Sequence, residues 1–349
     1  MNSAAAKPSS WIDLAALESY LREHIAGFEG PVTLTRFSGG QSNFTYRLDT
    51  PQRSYVMRAK PGRRAELLPS AHAIEREYRV QQALRGSGVP VAGMHCLCED
   101  EDVVGRAFYI MDHVDGRIFW DQSLPGLSNA ERGAIYDELN RVIAELHAID
   151  VDARGLADYG KGGNYFRRQI DRWTKQYNAS RTQTIDAMDR MIDWLPGAVP
   201  QNDEGEVRLV HGDYRIDNVI FAHDSPRVLA VIDWELSTLG DPLADFAYHV
   251  MSWHLGGRGV RGIAGVDLAA IGIPDERTYV ARYEERTGRN VQQHWNFYLA
   301  YNLFRLAAIL QGIAKRSEDG IASSPQALEM GRQAVPIAQL AWQFAQRRG

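Results

Sequence analysis

Asp213, Asn218 and Asp233 are the residues of this chain whose types and spacing best suit chemistry. Asp213 and Asn218 stand five apart in His211-Gly212-Asp213-Tyr214-Arg215-Ile216-Asp217-Asn218, and Asp233 closes the apolar run Val231-Ile232 fifteen residues after Asn218. Carboxylate and amide oxygens are hard donors of the kind that hold Mg2+. Transfer of a phosphoryl group needs such a set. Charge spreads over the oxygens of the group in flight, so catalysis is mostly positioning and cationic stabilisation. In that division of labour Asn218 and Asp233 are metal ligands, and Asp213 accepts or orients the proton of the attacking hydroxyl. A single Asp or Asn in a loop more often bonds its own backbone in a turn. The conjunction of the three sets this stretch apart.

Three short elements must present these residues. Glu206-Val207-Arg208-Leu209-Val210 reads as a strand into the loop, Asn218-Val219-Ile220-Phe221 as a strand out of it, and the β-rich run Arg227–Ile232 delivers Asp233 after a turn at His223-Asp224-Ser225-Pro226. Protein kinases write this arrangement H-R-D-L-x-x-x-N followed by a metal-binding Asp. Here His211-Gly212-Asp213 and Val231-Ile232-Asp233-Trp234-Glu235 resemble the small-molecule version of the aminoglycoside phosphotransferase and choline kinase group, H-G-D-x-x-x-x-N with I-D-[WFL]-[GE]. The resemblance implies an α+β, two-lobed protein-kinase-like fold, with a small N-lobe of antiparallel sheet plus helix and a larger, mainly helical C-lobe. It also implies ATP and Mg2+ as cofactors and a small-molecule hydroxyl as acceptor. The expected division is an N-terminal nucleotide-binding lobe over 1–111, a hinge over 112–116 and a catalytic and substrate lobe over 117–349.

The N-terminal third fits this plan. Ser10 and Asp13 resemble a capping box ahead of Leu14, Leu17, Leu21 and Ile25 at helical spacing. Val32–Phe37, Phe44–Leu48 and Ser54–Arg58 read as an antiparallel meander. Its first turn carries Gly40, Ser42 and Asn43, small residues that let backbone N–H groups approach phosphate oxygens. The family's looser loop, G-x-S-N, matches Gly40-Gln41-Ser42-Asn43, with Ser42 the foremost phosphate contact. Arg58 stands where kinases carry the strand Lys that holds the α- and β-phosphates. A guanidinium binds phosphate bidentately, and Lys60, two residues on, is the reserve. Family pattern places the pairing carboxylate at Glu77, in Glu75-Arg76-Glu77. Arg106–Met111 reads as a buried strand, and backbone groups of Met111, Asp112, His113 and Val114 would meet the adenine edge.

In the C-terminal region Asp245, in Gly240-Asp241-Pro242-Leu243-Ala244-Asp245, matches a family carboxylate that buttresses the catalytic loop, with His211 beside it in a supporting role; His147 reads as a structural helix-end residue. The apolar stretch Phe297–Ala314 is interrupted by Asn302, Arg305 and Gln311, which marks a buried helix and not a membrane span. Acceptor-side candidates are Glu235, Arg305 and Gln311. Cationic residues in this region favour an anionic or neutral acceptor over a polycationic one. The segments Tyr55–Gly62, Leu67–Tyr78 and Phe304–Gly312 are similar to the kinase-like domain attached to some acyl-CoA dehydrogenase family proteins, a subgroup linked to phosphorylation of hydroxyacyl-CoAs. Rival readings are a choline- or homoserine-type kinase and a nucleotide-binding pseudokinase module.

Composition is ordinary for a globular protein: 349 residues, 44% hydrophobic, 24% charged, net charge −5. No basic excess points to nucleic acid. Cys96 and Cys98 read as free, semi-buried thiols on opposite faces of a strand in a reducing cytoplasm. The N-terminus lacks an uninterrupted apolar segment of signal-peptide length. A cytoplasmic enzyme without a membrane partner is therefore expected, its oligomeric state open.

Overall fold

Alternating burial along the first strands determines how the small lobe is layered. The computed structural model describes residues 11–37, 43–61, 73–200, 206–256, 260–320 and 327–347. Helix α1 (Leu14–His24) precedes strands β1 (Thr33–Arg36), β2 (Phe44–Asp49) and β3 (Ser54–Ala59); helix α2 (Ile74–Leu84) and strands β4 (Met94–Cys98) and β5 (Phe108–Asp112) follow. The strands form an antiparallel sheet in the order β1-β2-β3-β5-β4. Successive side chains point to opposite faces. Phe108 and Ile110 join Leu17 and Leu21 of α1 in one core, while Tyr109 packs with Ile74 of α2 on the other face.

Asp13 itself stands at the N-cap of α1, accepting from the N–H groups of Ala15 and Ala16; Ser10 lies outside the described residues. One expectation changes here. Cys96 and Cys98 are buried free thiols on the same face of β4, as a period of two requires, not on opposite faces.

The large lobe is built from α3 (Asn129–His147), α4 (Tyr165–Ala179), α5 (Asp186–Ala198), β6 (Arg208–Val210), β7 (Val219–Phe221), β8 (Val228–Val231), β9 (Thr238–Gly240), α6 (Pro242–Val250), α7 (Leu268–Ile271), α8 (Glu276–Thr287), α9 (Trp295–Glu318), α10 (Ala327–Arg332) and α11 (Ala334–Ala345). β7 and β8 form the expected hairpin; β6 pairs instead with β9, a strand too short for periodicity to reveal. One core gathers α3, α8 and the strands around the catalytic loop, and a second gathers α4, α5, α9 and α11. Helix α9 is long and apolar enough to cross a membrane by composition, yet 78% of its most apolar window is buried among these helices. It is the central strut of that second core. Together the two lobes form the α+β, two-lobed architecture expected from the sequence.

β5 runs through Asp112, whose N–H donates to the Gly93 carbonyl at 2.8 Å.

Candidate active site

The catalytic loop follows β6, and a glycine makes its first bend. Gly212 has φ +80°, and a Cβ there would stand 2.6 Å from the Leu236 carbonyl oxygen. The Asp245 carboxylate of α6, 3% exposed, clamps this bend, accepting from the N–H groups of His211 at 2.7 Å and Gly212 at 2.8 Å. Burial pushes the Asp245 carboxyl up, but His147 and His211 outweigh it, and the group sits below the usual aspartate range. His211 Nδ1 accepts from the Asp213 N–H at 3.2 Å, so its Nε2–H donates to the Ile232 carbonyl at 3.0 Å. One imidazole thus ties the loop to the segment that delivers Asp233.

Asp213 is held on both oxygens. Tyr248 donates to Oδ1 at 2.6 Å, and Asn218 Nδ2 donates to Oδ2 at 2.9 Å and to the Asp213 carbonyl at 2.9 Å. Arg215 Nε lies 3.2 Å from Oδ1. With its amide nitrogen committed, Asn218 has its amide oxygen as the donor for a cation. Asp233 has φ +68°, a left-handed conformation that costs a non-glycine residue on the order of 1–3 kcal/mol. Such a bend turns its side chain out of the β8 line, and Asn218 and Asp233 line one cavity of about 1090 Å³ between the lobes.

Across that cavity Arg58 projects from β3. Its Nε lies 3.0 Å from Glu77 Oε2, and its Nη2 lies 2.9 Å from Asp233 and 3.2 Å from Glu235. Glu77, 1% exposed, also accepts from Asn43 at 2.9 Å and Tyr109 at 3.1 Å. Burial, joined by the charges of Asp233 and Glu235, outweighs the pull of Arg58 and raises the Glu77 carboxyl to about 7. The Arg58–Glu77 pair is therefore continuous with the Asp233 carboxylate.

Most expected residues surround this cavity. Asn43, Arg58, Met111, Asp112, His113, Val114, Asn218, Asp233 and Glu235 line it. Gly40 and Ser42 lie outside the described residues. Asp213, its side chain 17% exposed, does not itself line the cavity but is held by three residues that do, Tyr248, Arg215 and Asn218.

Four assignments need correction. Lys60 pairs with Glu75 at 3.0 Å and does not line the cavity, because it lies past the end of β3, where its N–H bonds the Ala107 carbonyl. Arg305 is not on an acceptor surface: 6% exposed, it donates to the Gly212 carbonyl at 2.7 Å from inside α9. Gln311, fully buried, holds the Ser180 carbonyl at 2.9 Å and Thr182 Oγ1 at 3.0 Å, fastening the α4–α5 connection. Glu235 pairs with Arg58 at 3.2 Å, on the guanidinium nitrogen that also meets Asp233, and does not stand with Arg305 or Gln311. Tyr248 was missed. Its spacing from Asp245, three residues along a helix, was the available signal, since such pairs share a face.

Among the described residues no group of three or more His, Cys, Asp or Glu side chains gathers to hold a metal alone. The oxygens of Asn218 and Asp233 fit Mg2+ shared with phosphate oxygens and water, the usual way this cation is bound.

Comparison with known proteins agrees with this architecture. The model of the phosphotransferase enzyme family matches residues 33–286. A crystal structure of a candidate aminoglycoside phosphotransferase from Ralstonia eutropha JMP134 is 59% identical with a TM-score of 0.89, over 96% of this chain and 98% of that one. The aminoglycoside phosphotransferase APH(4)-Ia, in a ternary complex with AMP-PNP and hygromycin B, shares the fold at 18% identity and a TM-score of 0.60, over 95% of this chain and 99% of that one. Acyl-CoA dehydrogenase family member 10 of Mus musculus is 45% identical over 96% of this chain, and member 11 of Homo sapiens 40% over 97%. The chain spans 31% of the former's length and 44% of the latter's. By the family match and by the disposition of its loop and cleft, this chain belongs to the phosphotransferase enzyme family, a group of kinase-type enzymes.

Proposed function

We propose that this protein transfers the γ-phosphoryl group of ATP to a hydroxyl of a small molecule that is apolar in body and anionic in charge, such as a hydroxyacyl-CoA. The observation that carries the transfer reaction is that Arg58, Asn218 and Asp233 line one cavity, with Asp213 held by Asn218 behind its wall and Glu77 paired with Arg58. Arg58 holds phosphate oxygens, and Glu77 holds Arg58. Asn218 and Asp233 would hold Mg2+, which neutralises phosphate charge when bound. Asp213 takes the proton of the acceptor hydroxyl as the hydroxyl oxygen bonds to the γ-phosphorus and the bond from that phosphorus to the β–γ bridging oxygen breaks, releasing ADP. Oriented donors fixed before the reaction need no reorganisation during it.

Acceptor class rests on the other end of the cavity. Met251, Leu255, Val260, Leu306, Leu310 and Met330 line it with apolar surface. Arg215 and Arg261 stand at the same cavity, both paired with Asp217, so that acid's charge is already met. A polycationic aminoglycoside would find little free acid there. An acyl chain with an anionic head fits better. Sequence similarity to the kinase-like part of the acyl-CoA dehydrogenase family proteins points the same way.

A screen of Mg2+-dependent ATP consumption against hydroxyacyl-CoAs, aminoglycosides, choline and sugars tests this reading. Consumption with hydroxyacyl-CoAs is expected. Turnover with aminoglycosides alone would overturn the acceptor class, and ATP binding without consumption by any acceptor would favour a pseudokinase module.

A further inference from the structure

Tyr248 lies one turn after Asp245 on α6, so the helix that clamps the backbone of the catalytic loop also reaches its carboxylate. Its hydroxyl donates to Asp213 Oδ1 at 2.6 Å, while its ring belongs to the helical core and to the cavity wall. Arg305 of α9 lies over that ring, 4.6 Å from its centroid, and donates to the Gly212 carbonyl at 2.7 Å. On its other side the Arg305 guanidinium meets Trp173 of α4 at 5.4 Å. Burial and the Asp213 carboxylate push the Tyr248 hydroxyl far above the ordinary tyrosine range, so it stays a donor.

We propose that Tyr248 is a positioning residue for phosphoryl transfer, fixing one oxygen of Asp213 so that the carboxylate meets the acceptor hydroxyl in a single orientation, and that Arg305 fixes Tyr248 in turn. The proposal deepens the phosphotransferase reading and rests on its assignment of Asp213. A carboxylate has about four lone-pair sites. Tyr248 takes one on Oδ1 and Asn218 one on Oδ2, which stops rotation about the Cβ–Cγ bond and keeps a site for the incoming hydroxyl. Tyr248 keeps its own proton throughout; the acceptor's proton goes to Asp213. Buried Arg305 bridges ring and loop backbone, so carboxylate and loop shift together or not at all.

Steady-state hydrolysis of Mg·ATP by the full chain, with water as acceptor, tests this. Tyr248→Phe keeps the ring against Arg305 and removes only the O–H. Its kcat should fall by about 10- to 100-fold, the scale of a small misplacement of a reacting group, with the KM for ATP and the thermal midpoint unchanged. Arg305→Met should lower kcat as well, and Arg305→Lys, which keeps a cation and a donor, should recover part of it. Wild-type kcat in Tyr248→Phe overturns the inference, as does a loss matched by a higher KM or a lower midpoint, which would mark a merely structural role. Asp213→Ala, run in parallel, separates the two levels. If it stays active, the assignment of Asp213 falls; if it is inactive while Tyr248→Phe is not, only the role of Tyr248 falls. A wild-type chain that consumes ATP neither with water nor with any acceptor of the screen overturns the phosphotransferase reading itself.

Discussion

Arg58 joins three carboxylates of this site. It stands where kinases use lysine, and its three contacts show what a planar fork can do that an ammonium cannot: Nε meets Glu77 while Nη2 reaches Asp233 and Glu235. Removing the cation would leave Glu77 buried without the guanidinium that holds its carboxyl down, so the folded chain would have to take up a proton there at neutral pH. Breaking a buried ion pair from one side costs on the order of 3–5 kcal/mol. Arg58→Met should therefore lower the unfolding free energy by that order, and Arg58→Met/Glu77→Gln should recover part of it, because the amide is neutral and can still bond Asn43 or Tyr109. Urea denaturation of the three proteins checks this; a double variant less stable than Arg58→Met would sink it. Glu77 was legible because a kinase-like strand residue needs a partner carboxylate on the next helix. Arg305 and Gln311 were misplaced because sequence shows that a polar residue interrupts an apolar helix but not whether the interruption faces solvent or a backbone carbonyl.

Helix α6 is the element that organises the site from behind. Asp241 caps it, Asp245 clamps the loop backbone, Tyr248 reaches Asp213, and His249 is fixed by Tyr279 at 2.8 Å. Burial holds His249 down to about 4, although Asp245 and the Tyr214 backbone raise it; His147, against the same Asp245, is also lowered. The unfolded chain, with histidine near 6.5, takes up these protons more readily than the folded one. The stabilising effect of a neutral His249 is thus complete above about pH 6.5 and is lost as pH falls toward 4, by about 3 kcal/mol at the low end. His249→Gln should flatten the dependence of the thermal midpoint on pH over this window. An unchanged slope would show that His249 titrates normally. Asp245 could be read from its place in a motif, and β7 and β8 from alternating β-rich runs. β9 and the α6-to-α9 bond network could not, because they join residues far apart in sequence through contacts that no local period encodes.

At the scale of the molecule, Arg58 bridges the lobes: Glu77 belongs to the small lobe, while Asp233 and Glu235 belong to the large one. Helix α2 is fastened to the large lobe as well, with Arg76 over the Tyr159 ring at 4.2 Å and Arg79 donating to the Gly155 carbonyl at 2.7 Å. Arg58 and α2 together therefore join the lobes. Phosphate oxygens and Mg2+ would compete for the same two charged groups, the cation for Asp233 and the phosphates for Arg58. Neither interaction forms in the unfolded chain, so nucleotide binding must add to global stability; at 100 times Kd the gain is about 2.7 kcal/mol. Mg·ATP should raise the thermal midpoint of the wild type more than ATP with excess EDTA does. In Asp233→Asn the difference between the two conditions should largely vanish, while the response to ATP alone, carried by Arg58, persists. Differential scanning fluorimetry across a Mg2+ titration reads both quantities. A full Mg2+ response in Asp233→Asn would remove Asp233 from the metal site and leave its ion pair with Arg58 as an inter-lobe contact only.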